Sequence, residues 1–66
     1  MVTATDQFKQ VKTHLATLDD LGQERRRLYT DWATQRLTPD EFASAMAANL
    51  RRTQEAAAIL LTTIQG

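Results

Sequence analysis

The sequence predicts an all-α protein: an antiparallel, coiled-coil-like two-helix hairpin, completed by oligomerisation or by docking on a partner. Three observations point there. The stretch Leu37-Thr38-Pro39-Asp40-Glu41-Phe42 holds a full helix-start signal near the middle of the chain. Apolar residues recur at helical spacing over long runs on both sides of it. Two glycines and one proline in 66 residues, among many alanines, leave little that is not helix. The whole chain, 1–66, is read as a single domain.

Residues 1–5 are expected to fray, with Thr5 or Asp6 capping a first helix over about 6–36. Along it Phe8, Val11, Leu15, Leu18, Gly22, Arg25, Tyr29 and Trp32 follow an unbroken 3-4 spacing, the seam of a coiled coil. Gly22 and Arg25 are its blemishes. Gly22 opens an alternative, a three-helix bundle broken there, since Asp20-Leu21-Gly22-Gln23 resembles a weak capping box. The heptad phase nevertheless continues across it, and an isolated glycine costs a helix only about 1 kcal/mol. A corner is expected at 37–38. Thr38 then serves as N-cap, Pro39 as first helical residue and Glu41 as the third member of a capping box. The second helix is placed at about 39–64, with its stripe on Phe42, Met46, Leu50, Thr53, Ala57, Leu60 and Ile64.

Folded back at the corner, facing residues should have numbers summing to about 75. Val11 then meets Ile64, Leu15 meets Leu60, Leu18 meets Ala57 and Tyr29 meets Met46. Both stripes have their poorest positions at the middle, where Gly22 meets Thr53 and Arg25 lies near Leu50.

A chain this short buries little of its surface and usually needs a staple or a partner. No cysteine is present and His14 is the only histidine, so neither a disulfide framework nor a structural zinc site is expected. Eight basic residues balance eight acidic ones, which argues against a strong general attraction to nucleic acid or anionic membrane. No apolar run approaches the ~20 residues that span a bilayer, and the N-terminus lacks the pattern of a signal peptide. The expected address is the cytoplasm, or the inside of a particle assembled there.

For catalysis the inventory is poor. Asp19, Asp20 and Glu24 lie on one long helix with no cleft to raise a carboxyl pKa, and no base is arranged beside the serines and threonines. No phosphate-binding glycine loop exists, and no cofactor is expected. Two surfaces remain as candidates. Leu21, Leu28, Ala45, Ala48 and Ile59 widen the apolar faces beyond what two helices bury, and are expected to meet a partner or a second copy. Arg25, Arg26, Arg27, Arg51 and Arg52 fall at one level of the hairpin and could form a belt for phosphates or an acidic partner. Against the belt, Asp31 and Glu55 lie one turn from these arginines, and no aromatic residue is interleaved to stack on bases. Trp32, Tyr29 and Phe42 gather at the corner as a plug for the end of the core.

The corner, Leu28…Leu37-Thr38-Pro39-Asp40-Glu41-Phe42…Leu50, resembles the short SHOCT-type helical hairpin, which is associated with oligomerisation. Gln35 departs from that pattern, standing where the family tends to carry glycine. The length and two-helix plan resemble the small E-component needle chaperones of type III secretion, through Pro39-Asp40-Glu41-Phe42 and Glu55-Ala56-Ala57-Ala58-Ile59-Leu60. That resemblance implies a cytoplasmic co-chaperone holding another protein soluble. The plan is also similar to the Rop-type hairpin, which dimerises and binds RNA. The functional expectation is a non-enzymatic protein–protein interaction module, such as a small secretion co-chaperone or assembly adaptor. The alternatives are a Rop-like dimer binding nucleic acid through the arginine belt, or a small phage structural or regulatory protein.

Overall fold

The computed structural model describes residues 4–65. Two helices, α1 (Ala4–Ala33) and α2 (Pro39–Gln65), lie antiparallel as a rod of 50 × 15 × 10 Å. α1 runs unbroken through Gly22, so the three-helix alternative does not form. A Cβ at Gly22 would meet the Arg25 guanidinium at 3.6 Å, an ordinary contact. α1 already spans Ala4, ahead of the expected cap at Thr5 or Asp6, and the rest of the expected frayed segment lies outside the described residues.

The corner is longer than the sequence suggests, because α1 stops at Ala33 rather than near residue 36. Gln35 takes a left-handed conformation with φ 63°. Its N–H donates to the Trp32 carbonyl at 3.1 Å, and the Arg36 N–H donates to the Asp31 carbonyl at 2.7 Å. These two bonds form a Schellman cap, which satisfies carbonyls that the helix end would leave open. Gln35 thus performs the turn usually given to glycine. On the other side the capping box forms as expected. The Glu41 N–H donates to the Thr38 hydroxyl at 3.1 Å, and the Thr38 N–H donates to the Glu41 carboxylate at 3.0 Å. These bonds to Thr38 hold the Glu41 carboxyl below its ordinary pKa.

The register agrees with the sequence reading. Leu21 meets Asn49, Arg25 meets Asn49 and Thr53, Trp32 meets Phe42 and Gln7 meets Thr63, so facing numbers sum to 70–78. The rotation of each helix does not agree. On α1 the seam runs through Gln7, Val11, His14, Leu18, Leu21, Arg25 and Leu28, all buried or half-buried. On α2 it runs through Phe42, Met46, Asn49, Thr53, Ala56, Leu60 and Thr63. Alternate positions have moved one residue toward the N-terminus of each helix. Leu15 and Ile64, expected in the core, are 52% and 53% exposed, while Leu21 is 8% exposed.

The hydrogen bonds at mid-hairpin account for this rotation. Asn49 is fully buried; its amide donates to the Leu21 carbonyl at 3.0 Å and accepts from Arg25 at 2.9 Å. Arg25 also donates to the Thr53 hydroxyl at 2.7 Å. An unpartnered buried amide would cost about 1–3 kcal/mol, so Asn49 and Arg25 hold each other inside. Among the described residues every buried side-chain polar atom has a partner. At the open end Gln7 donates to the carbonyls of Thr63 and Ile64 at 3.0 and 3.2 Å, joining α1 to the last turn of α2.

Candidate interaction surface

With the seam fixed, each helix has one row of residues on either flank of it. In an antiparallel pair the equivalent rows of the two helices fall on the same side. One flank therefore combines Phe8, Leu15, Gly22 and Tyr29 of α1 with Ala43, Leu50, Ala57 and Ile64 of α2. Phe8 and Ile64 do line one shallow cleft together, with Val11 between them. On the opposite flank Arg52 approaches Glu24 at 3.9 Å, a solvent-exposed pair of small energetic weight.

The two flanks differ in what they show to water. Eight large apolar side chains are exposed in the described structure, by 40–70%. Phe8, Leu15, Tyr29, Leu50 and Ile64 belong to the first flank or its end, Leu61 adjoins it, and Trp32 closes the seam beside it. Ile59 alone lies on the Glu24–Arg52 side. Aromatic side chains offer about 150–250 Å² when fully open and leucine or isoleucine less, so the seven leave on the order of 600 Å² uncovered. The largest apolar patch on an ordinary monomer is about 300–600 Å².

The residues expected at a partner surface divide between the two regions. Leu21 is buried against α2, and Leu28, Ala45 and Ala48 are half-buried, leaving Ile59 as the exposed member at 52%. The correction follows from the rotated seam: Leu21 and Leu28 move in, and Tyr29 moves out. The arginines are not brought into one belt. Arg25 is held between the helices by Asn49 and Thr53, and Arg52 faces Glu24. Arg26, Arg27 and Arg51 are exposed, the first two about 100° apart on α1 and the third on the outer side of α2.

At the corner Trp32 stacks on Phe42 with ring centroids 4.8 Å apart and planes at 13°, and Tyr29 meets Trp32 edge-on at 6.1 Å. The expected aromatic cluster is present. It leaves Tyr29 and Trp32 59% and 40% exposed toward the apolar flank. Trp32 also borders an open groove of about 580 Å³ formed with Gln35, Leu37 and Pro39. His14 is half-exposed at the seam. Among the described residues no group of histidine and carboxylate side chains has the arrangement of a metal site. Several threonine hydroxyls donate back into their own helix, among them Thr13 to the Lys9 carbonyl and Thr17 to the Thr13 carbonyl. No described helix is long and apolar enough to cross a membrane. Comparison with protein-family models, curated proteins and solved structures finds no match.

Proposed function

We propose that this chain is a non-enzymatic protein–protein interaction module of the cytoplasm, in the manner of a small co-chaperone or assembly adaptor. Its working surface is the apolar flank. One observation carries the reading: the side chains of Phe8, Leu15, Tyr29, Leu50, Leu61 and Ile64 lie along one side of the hairpin, each 47–70% exposed. Covering such a surface removes it from water at a gain of roughly 25 cal/mol per Å² before the costs of association. The opposite flank, with Glu24 and Arg52, offers no comparable reward.

The test is affinity capture from the source organism with three baits. These are the parent chain, Leu15→Gln with Leu50→Gln, and Glu24→Gln with Arg52→Gln as the control for the other flank. Glutamine keeps helix propensity close to that of leucine, so circular dichroism should show all three helical. The parent and the control should retain the same protein and the leucine variant should lose it, with nuclease treatment changing nothing. Equal capture by all three baits would show that the apolar flank is not the working surface. Nuclease-sensitive capture would move the assignment to nucleic acid.

A further inference from the structure

Resting on that reading of the flank, we infer that its occupant is a second copy of this chain, laid face to face with both corners at the same end. The exposed area suits a second copy. A standard protein–protein interface buries about 800 Å² per partner, and the roughly 600 Å² of apolar side chain left open here is most of one such half-interface. A helix from another protein would cover only part of a surface two helices wide.

The shape of the flank suits it too. Over three successive levels the flank pairs one large residue with one small, Leu15 with Ala57, Leu50 with Gly22 and Tyr29 with Ala43, while at the open end Phe8 and Ile64 are both large. The large member alternates between α1 and α2. When a second hairpin is turned by half a rotation about an axis running along the rod, α1 lies over the α2 of the other copy at an unchanged level. Leu15 then faces the second copy's Ala57, and Gly22 faces its Leu50. Large against small at successive levels is the arrangement that lets two layers interdigitate. Such a surface is complementary to itself, as a two-fold interface requires.

Charge along the rim selects the orientation. Along the border of this flank α1 carries Lys12, Asp19 and Arg26 at seven-residue intervals, while α2 carries Ala47, Gln54 and the exposed Leu61. With corners at opposite ends, each α1 would lie antiparallel on the other copy's α1. That sets Lys12 against Arg26 and Asp19 against Asp19, like charge on like. With corners at the same end, those three charged residues face Leu61, Gln54 and Ala47, and no like pair forms. Rim charges act mainly on orientation and partner choice.

The chain contains no cysteine, so Arg36→Cys at the exposed corner gives a single labelling site. Sedimentation of the parent and of the spin-labelled protein should give twice the monomer mass. Pulsed electron paramagnetic resonance should place the two labels within about 30 Å, the width of a four-helix bundle plus linkers. Leu15→Gln with Leu50→Gln should sediment as a helical monomer where the parent is a dimer. A dimer with labels about one rod length apart, near 50 Å, overturns the shared-end arrangement. A monomer mass at every concentration overturns the second copy as occupant. In that case the capture experiment decides separately: loss of a retained protein by the leucine variant leaves the interaction module standing, and equal retention removes both.

Discussion

The corner and the middle of the hairpin are built by different rules. Between Asp31 and Glu41 every cap bond joins residues three to six positions apart, so the geometry is decided by neighbours in sequence. At mid-hairpin the deciding bonds join Leu21 to Asn49 and Arg25 to Thr53, each 28 positions apart. The corner needs only its own residues. The middle exists only once two helices have met, and it settles which face of each helix is hidden. Local chemistry sets where the chain turns, and long-range polar chemistry sets how the two rods are rolled.

The sharpest way to break this distinction is at the seam. Leu21→Ala removes a side chain that is 8% exposed, and should destabilise the folded chain by about 2–5 kcal/mol in urea titrations. Leu15→Ala, at a position 52% exposed, should cost far less in the unassociated chain. A larger cost for Leu15→Ala than for Leu21→Ala would mean that the helices are rolled as the simple apolar spacing suggests. A smaller effect of opposite sign is expected at the corner. A non-glycine residue in the left-handed region costs about 1–2 kcal/mol. Gln35→Gly should therefore raise the denaturation midpoint modestly, the gain being partly offset by the greater freedom of glycine in the unfolded chain. A loss of stability would show that the Gln35 side chain makes a contribution of its own.

The smallest effect concerns acid. Because its bonds to Thr38 lower the Glu41 pKa on folding, the folded chain holds fewer protons there than the unfolded one. The stability this contributes is present above the ordinary glutamate pKa and is lost as pH falls through the lowered one. Glu41→Gln keeps the capping geometry and cannot titrate, so its melting temperature should depend less on pH across that acid range. Identical acid profiles for parent and variant would place the pH dependence elsewhere.

The legibility of the sequence follows the same division. The capping box was legible because Thr38, Pro39 and Glu41 carry their meaning within four residues. The pairing register was legible because it depends only on where the turn lies, and the observed partners fall around the expected one. The roll of the helices was not. Val11, Leu18 and Arg25 belong to two overlapping 3-4 tracks on α1, one continuing through Leu15 and Tyr29 and the other through Leu21 and Leu28. The first track is apolar over more of its length, since the second also passes through Gln7 and His14, and a single neighbouring helix can cover only one of them. Asn49 decides between them, and an asparagine carries no apolar signal. Its one sequence clue was position: it lies one residue before Leu50, at the level of Arg25, where a donor and an acceptor could meet.

Both described ends of the chain lie at the same pole of the rod, where Gln7 reaches the carbonyls of Thr63 and Ile64. Tension between them would open the hairpin one level at a time and would not shear the helices past each other. The Gln7 rung would yield first and the small contacts around Val11 and Leu60 next. Arg25, Asn49 and Thr53 would then form a second latch near the middle, with the stacked Trp32 and Phe42 beyond it. Under an optical trap, extension should therefore pause near the halfway point before the corner lets go.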